Sequence, residues 1–220
     1  DPDDATAELR SEEFPIEIKP DEFCGPEHHE LAADEFGVLK NQAAKVLMKL
    51  LYAARNTRYD LLKAISHLAS KVTKWTRWCD QALHRLVSYV FSTLDKRLWG
   101  WVGDELSECD LVLYSDANFT EHSETKSTTG VFLALIGPNT FMPLNARSIK
   151  QTCTSHSSTE AEIVAMEEAL RSEGQPAMVL WERLSGGGMK LRFREDNTAA
   201  IQIAKTGTTN KLRDIRRTHG

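Results

Sequence analysis

The chain has 220 residues, of which 41% are hydrophobic and 27% are charged, and its net charge is −5. This composition is typical of a globular protein, and the length allows one or two domains that each bury a core. No apolar run approaches the ~20 residues that a membrane-spanning helix needs, so we expect no membrane partner. The opening Asp-Pro-Asp-Asp has neither an initiator Met nor a signal segment, and we expect it to be the cut edge of a longer product.

The cysteines indicate a reducing compartment. They are far apart in the chain and include no C-x-x-C pair, at Cys24, Cys79, Cys109 and Cys153. Since disulfide frameworks are usually denser than this, we predict free thiols and an intracellular location. A zinc site at Cys24, His28 and His29 is less favoured than a polar loop, because no second ligand pair follows at the spacing of a zinc finger.

The charge is unevenly distributed. Residues 1–36 carry 13 acidic and two basic residues, a net charge of −11, and they are interrupted by prolines without any hydrophobic period. We predict that they form an acidic, poorly ordered leader. The remaining residues have a net charge of +6, which suits a polyanionic partner because phosphate contacts release condensed counterions.

Helical spacing dominates residues 37–104. Apolar residues recur with this period in three stretches, at 39–54, 61–69 and 77–94, and we predict a small helical region. In the third stretch we expect the apolar residues, including Val87 and Phe91, to lie on one buried side. The period then changes, and short apolar runs at 98–102, 111–114 and 130–136 predict strands.

The rest of the chain alternates helices and strands. A helix is predicted at 160–171, with Ile163, Met166 and Leu170 facing inward. A glycine turn at 186–188, a strand at 191–194 and a helix at 198–205, ended by Gly207, follow. Strands followed by alternating strands and helices predict an α/β domain over residues 105–220.

Three acidic residues occupy the ends of these elements. Asp116 and Asp196 each end a predicted strand, and Glu162 lies in the first turns of a predicted helix. Acids at the carboxyl ends of strands lie where open α/β sheets bind ligands. Carboxylates on rigid elements are what a Mg²⁺ site requires, and a pair of such ions ~4 Å apart hydrolyses phosphodiesters. By pattern alone, each acid also fits a solvated strand end or a helix cap.

Four strings carry a family resemblance. They read Y-S-D-A at 114–117, K-S-T-T-G at 126–130, S-S-T-E-A-E at 157–162 and E-D-N-T-A-A-I at 195–201. Their order and spacing resemble the signature of copia-type retrotransposon ribonuclease H domains, and they cover about half of the chain. Upstream, L-L-Y-A at 50–53 and R-N-T-R-Y-D at 55–60 resemble the end of the reverse transcriptase of the same polyprotein. The polymerase motif Tyr-x-Asp-Asp is absent from the sequence, so DNA synthesis is not assigned to this chain.

The resemblance implies a fold, a reaction and partners. The fold is α/β, a ribonuclease H-like mixed sheet with flanking helices, preceded by a small helical connection region. The reaction is endonucleolytic hydrolysis of the RNA strand of an RNA–DNA hybrid with two Mg²⁺ or Mn²⁺ ions. The implied partners are that hybrid and the polymerase part of the same polyprotein, in a cytoplasmic particle or the nucleus.

The resemblance also implies site residues. Asp116, Glu162 and Asp196 are the implied metal ligands and catalytic acids, whereas Glu160 points about 200° away from Glu162 on an ideal helix. Ser157 and Ser158 are expected to cap the helix and to face the RNA 2′-hydroxyls. Asn197 is expected to be structural. Further backbone contacts are expected from the basic residues Arg147, Lys150, Lys205, Lys211, Arg213, Arg216 and Arg217, each of which also fits a solvated surface charge.

The fourth acid depends on the alignment of the last residues. Aligning D-I-R makes Asp214 the fourth metal ligand and catalytic acid, whereas aligning R-x-H through Arg217 and His219 puts Ile215 in that place. The histidine that the family has before this acid is replaced by Leu212 or Arg213. We expect the nuclease domain to be truncated at its C-terminus.

Two other functions fit the sequence. A degenerate or domesticated fragment would keep the fold and bind nucleic acid without cleaving it, and the replaced histidine and uncertain fourth acid favour it. A structural segment that docks the nuclease on the polymerase fits residues 39–103 better than the rest. The three intact acids favour the enzyme.

Overall fold

The computed structural model describes residues 36–119 and 126–207. Its first part is helical, with α1 (Lys40–Asn56), α2 (Leu62–Ala69) and α3 (Arg77–Ser92). Single 3₁₀ turns at Tyr59–Leu61 and Val72–Lys74 join them. The three predicted helices are therefore confirmed, while the predicted leader lies outside the described residues except for Phe36.

Fewer residues of α3 are buried in the helical core than the sequence predicts. Leu47, Ile65, Trp75 and Leu86 are buried between the three helices. The inward face of α3 is formed by its first three turns, at Cys79, Ala82, Leu83 and Leu86. The expectation of a buried face was wrong for Val87 and Phe91, which are 44% and 77% exposed. No residue of α3 after Leu86 is buried, so the last turns of the helix extend beyond the core.

The second part contains a four-stranded mixed sheet. Its strands are β1 (Asp110–Asn118), β2 (Thr128–Gly137), β3 (Thr140–Lys150) and β4 (Leu191–Arg194), in the order β3-β2-β1-β4. β1 is antiparallel to β2 and parallel to β4, and β2 is antiparallel to β3. The mixed sheet flanked by helices confirms the predicted α/β fold class.

Two strand predictions differ from the structure. The predicted strand at 98–102 is wrong, since only Trp101 forms an isolated bridge, with Phe141. Strand β3 was not predicted. The alternation of apolar residues along β3 is interrupted by Pro143 and by a register shift opposite Leu133 and Ala134 of β2. The sequence of β3 therefore lacks the pattern that predicts a strand.

One long helical run crosses behind the sheet. It consists of α4 (Ser158–Ala169), a π-helical turn (Leu170–Gly174) and α5 (Gln175–Ser185). Helix α5 was not predicted, because Gly174 and Pro176 resemble helix breakers. In the structure a Cβ at Gly174 would lie 3.0 Å from Leu113 and 3.1 Å from Leu191, so glycine allows the helix to pass close to the sheet. Helix α6 (Thr198–Thr206) follows β4 and ends at Gly207, as predicted.

The buried face of α4 consists mainly of small residues. Ala161, Val164, Ala165 and Ala169 are buried there, together with Glu162. The predicted inward residues Ile163, Met166 and Leu170 are only partly buried and line a groove next to α6. Small side chains let α4 approach the sheet closely, which moves the larger ones to its flank.

The sheet has helices on both faces. Phe132 and Ala146 pack against the core of α1–α3, and the Ser66 hydroxyl donates a hydrogen bond to the Ser148 carbonyl at 2.7 Å. On the other face, Leu113 and Val131 pack against the α4–α5 run. None of the helices in residues 36–119 and 126–207 has the length and apolar character that crossing a bilayer demands.

The state of the described cysteines agrees with the prediction of free thiols. Cys79, Cys109 and Cys153 are free thiols.

The positive φ angles of Gly186, Gly187 and Gly188 confirm the predicted turn between α5 and β4.

Candidate metal centre

Asp116 lies near the carboxyl end of β1. Side chains alternate along this strand, and Leu113 faces α4 while Tyr114 packs on Phe132 of the opposite face. Asp116 therefore lies on the face of Tyr114, where β1 extends beyond the last residue paired with β4. It is exposed to solvent, so its carboxylate is accessible to a ligand.

Glu162 reaches this place from α4. Ser157 caps the helix, and its hydroxyl accepts the backbone N–H of Glu160 at 3.1 Å. The Glu160 carboxylate accepts the N–H of His156 at 2.7 Å, so Glu160 stabilises the helix start and points away from the sheet end. This confirms the predicted cap at Ser157. Glu162, one half-turn further on, is only 7% exposed.

A buried amide fixes the start of α4 against the sheet. The side chain of Gln151 donates hydrogen bonds to the Ala161 carbonyl at 2.9 Å and to the Thr129 hydroxyl at 3.1 Å. Its Oε1 accepts the Ser155 hydroxyl at 3.3 Å. Because Ala161 directly precedes Glu162, these bonds set the position of the Glu162 carboxylate.

Asp196 comes from the loop after β4. Because β4 is parallel to β1, the carboxyl ends of both strands lie at the same edge of the sheet. Asn197 caps α6 by accepting the Ala200 N–H at 3.0 Å, which confirms its predicted structural role. Asp196 thus lies between a strand and a capped helix, and the short distance between them restricts where it can move.

The three acids converge. Asp116, Glu162 and Asp196 each offer an oxygen that lies within 4.8 Å of the other two. Burial raises the pKa of Glu162 to about 7, and the neighbouring charges of Glu195, Asp116 and Asp196 add to this effect. The backbone N–H of Ala117 acts in the opposite direction. The carboxylates therefore repel one another when no cation lies between them.

The donor set fits a divalent cation. Glu162 Oε2 is buried and has no hydrogen-bond partner among the residues that the structure describes. An unpaired buried carboxylate oxygen is costly unless a positive group satisfies it. Carboxylate oxygens are hard ligands of the kind that Mg²⁺ and Mn²⁺ prefer. The residues present therefore fit such an ion.

One acid of this region was missed by the sequence analysis. Glu195 accepts the Ser115 hydroxyl at 2.8 Å and the Asn197 N–H at 3.2 Å. Burial raises its pKa, although these two hydrogen bonds oppose the effect. A signal was present, since Glu195 continues the inward positions Leu191 and Phe193 of the alternating strand. Gln151 was missed as well, and no pattern in the sequence marks it.

The other predicted site residues fall into two groups. Lys150 is exposed at the end of β3, whereas Arg147 forms an ion pair with Glu173 at 3.1 Å. Ser158 is the first residue of α4, and Lys205 lies in the last turn of α6. Their nucleic-acid contacts stay predictions. The remaining candidates lie outside the described residues, at Lys211, Arg213, Asp214, Arg216 and Arg217.

The comparisons with known proteins agree with the resemblance. The chain is 29% identical over 198 residues, 89% of its length, to the Transposon Ty1-LR3, Ty1-PR1 and Ty1-GR2 Gag-Pol polyproteins of Saccharomyces cerevisiae. It spans about 11% of the length of these relatives. No family model and no solved structure matches the chain. The similarity to copia-type Pol polyproteins is thereby confirmed, without specifying the domain.

Proposed function

We propose that this chain is a metal-dependent ribonuclease H of a retrotransposon polyprotein, which hydrolyses the RNA strand of RNA–DNA hybrids. The observation that carries the proposal is the convergence of Asp116, Glu162 and Asp196 within 4.8 Å at one edge of a mixed sheet. The unpaired oxygen of Glu162 supports it, because a cation would satisfy that atom.

Asp116, Glu162 and Asp196 would hold two Mg²⁺ or Mn²⁺ ions. When bound, such a pair lowers the pKa of a coordinated water and stabilises the leaving oxygen of a phosphodiester. The side chains contribute position and charge: Asp116 and Asp196 face solvent, where substrate approaches, and Glu162 anchors the site from its buried side. Glu195 adds negative charge and is oriented by Ser115.

The proposed substrate follows from the family and from the surroundings of the acids. In such a nuclease, hybrid shape and 2′-hydroxyl contacts determine specificity rather than base reading. Ser157 and Ser158, at the start of the helix that carries Glu162, are the proposed 2′-hydroxyl contacts. The polymerase part of the same polyprotein is the proposed protein partner.

A cleavage assay tests this function. A labelled RNA strand annealed to DNA should be cut in millimolar Mg²⁺ and left intact in EDTA, whereas the same RNA in an RNA duplex should be spared. Asp116→Asn should abolish cleavage, and in EDTA it should melt at or above the wild-type temperature, which shows that the variant is folded. A folded chain that binds the hybrid but never cuts it would contradict the proposal and favour a non-catalytic fragment.

A metal titration tests the fourth acid. Binding of Mg²⁺ or Mn²⁺ to the folded state should raise the melting temperature by mass action. Asp116→Asn should reduce that rise, and so should Asp214→Asn if Asp214 is a ligand. If Asp214→Asn behaves like the wild type in both titration and cleavage, Asp214 is not part of the site.

A further inference from the structure

A row of small residues crosses the sheet next to Asp116. Strand register places Asp116 opposite Gly130, and Gly130 opposite Ser148. These residues share the face of Tyr114, Phe132 and Ala146, because side chains alternate along each strand. One row nearer the end of the sheet come Asn118, Thr128 and Lys150. We refer to the surface formed by Gly130, Ser148 and Thr128 as the shelf.

The shelf is bounded on one side by aromatic residues. Tyr114 and Phe132 lie in the preceding row with their ring centroids 5.9 Å apart. Tyr59 of the helical region packs edge-on against Phe132 at 6.2 Å. On the shelf itself, Gly130 contributes no side chain, so the surface next to Asp116 is low and polar while the neighbouring row is filled.

The far edge of the shelf is positively charged. Lys150 ends β3, and the hydrogen bond from Ser66 to the Ser148 carbonyl holds α2 beside it. Lys71 follows α2, and its ammonium group lies 5.6 Å from the centre of the Trp78 ring. The His67 ring contacts the same indole edge-on at 5.9 Å. Trp78 of α3 therefore holds a lysine and a histidine of another segment in place.

The two lysines have no acidic counterpart in the part of the chain that the structure describes. Within residues 36–119 and 126–207, no carboxylate forms an ion pair with Lys71 or Lys150. Partial burial lowers the pKa of His67, and the charges of Lys71 and Lys150 lower it further. Lys71, which follows α2, and Lys150, which ends β3, place two positive charges where α2 lies beside β3.

We propose that Lys71 and Lys150 bind the phosphate backbone of a nucleic-acid strand that crosses the shelf from Asp116, so that the helical region forms part of the substrate-binding surface. β3 lies two strands from β1, about 10 Å across the sheet. This separation is a few phosphate spacings along a strand, since successive phosphates are ~3.4 Å apart along the axis of a duplex. The inference rests on the proposed function for its choice of nucleic acid, because the shelf begins at an acid of the metal centre.

Binding measured in EDTA tests the surface without any cleavage. The affinity of the full chain for a fluorescent RNA–DNA hybrid is measured by anisotropy over a range of salt concentrations. Removing one lysine that binds a phosphate should reduce the slope of log K against log salt by about 1. Lys71→Gln and Lys150→Gln should each show this reduction, and the double variant should show about twice the reduction.

Matched variants control for charge and folding. Lys190 is exposed just before β4, at the opposite end of the sheet, where its carbonyl accepts the Leu111 N–H. Lys190→Gln makes the same change in charge and should leave the slope unaltered. Lys71→Arg and Lys150→Arg should preserve it, and all variants should melt near the wild-type temperature.

Three outcomes would overturn the inference. The first is an unchanged slope in both glutamine variants, and the second is an equal reduction in Lys190→Gln. The third is binding of polyglutamate with the same dependence on Lys71 and Lys150, which would indicate a surface for acidic proteins. Failure of the proposed function would give a different result. A chain that binds the hybrid through Lys71 and Lys150 but never cleaves it would refute the nuclease activity and leave this binding surface intact.

Discussion

Asp116 and Glu162 bring carboxylate oxygens within 4.8 Å of each other from opposite kinds of environment. Asp116 is exposed at the end of a strand, whereas Glu162 is buried in the first turns of a helix. Two negative charges at this distance are unfavourable without a cation, and more so for the buried partner. Repulsion between the carboxylates of Asp116 and Glu162 therefore destabilises the folded chain at this edge of the sheet. A bound divalent ion would reduce that repulsion.

Glu162 and Glu160 should respond in opposite ways to the same substitution. At pH 8 in EDTA, Glu162→Gln should raise the melting temperature by a few degrees, because it removes a buried charge that Glu195 and Asp116 repel. Glu160→Gln should lower it slightly, because it weakens the hydrogen bond to the His156 N–H. Calorimetry with and without Mg²⁺ should show metal stabilisation only in Glu160→Gln. Equal metal stabilisation in both variants would remove Glu162 from the site.

Gly130 should tolerate a larger side chain structurally but not functionally. A Cβ at this position would meet the Asp116 carbonyl at 3.7 Å, an ordinary contact, and β-branched residues favour strands. Gly130→Val should therefore melt at or above the wild-type temperature. Its side chain would stand on the shelf beside Asp116, so cleavage of the hybrid should fall at least tenfold. Gly130→Ala should lose less, and full activity of the valine variant would mean that substrate does not cross the shelf.

Gln151 should affect both stability and metal binding. Gln151→Leu would remove the hydrogen bonds that Gln151 makes to the buried Thr129 and Ser155 hydroxyls, and a buried polar group left unsatisfied costs about 1–3 kcal/mol. Metal affinity should fall as well, because the backbone next to Glu162 loses its anchor. Gln81→Leu, at an exposed position on α3, is the matched control and should change neither quantity. A stability loss with unchanged metal affinity would show that Gln151 supports the fold alone.

The stability of the helical region should depend on acidic pH through Asp60. Burial raises the pKa of Asp60, but the Arg58 guanidinium at 2.8 Å and the Tyr89 hydroxyl lower it by more, so it lies below the usual 3.8. A lowered carboxyl pKa contributes stability above about 4, and this contribution is lost as the pH falls through the folded-state value.

Asp60→Asn should therefore reduce stability at pH 7 by about 1 kcal/mol, since the pair is partly exposed. The difference from the wild type should shrink as the pH falls below 4, as followed by urea unfolding at several pH values. Asp95→Asn, at an exposed position, should show no such difference. A constant difference down to pH 2 would exclude the ion pair as its cause.

Local pattern determined most of the elements. The helical period gave α1, α2 and α3 close to their observed bounds, and alternation gave β4 at its observed residues. The capping role of Ser157 was also predicted, because a cap depends on residues only three positions apart. The strings around Asp116, Glu162 and Asp196 mark these three acids as candidate ligands from the sequence alone.

Only the tertiary structure determines how segments far apart in the chain are placed relative to one another. Strand β3 and the helical run through α5 exist because the sheet and its neighbours stabilise them despite Pro143 and Gly174, which local propensity disfavours. The 4.8 Å convergence of the acids depends on parallel pairing of β1 with β4 and on the anchoring of α4 by Gln151. The shelf depends on strand register, which puts Gly130 between Asp116 and Ser148. Such distances arise from contacts between residues far apart in the chain, and the spacing of neighbours along a sequence contains no record of them.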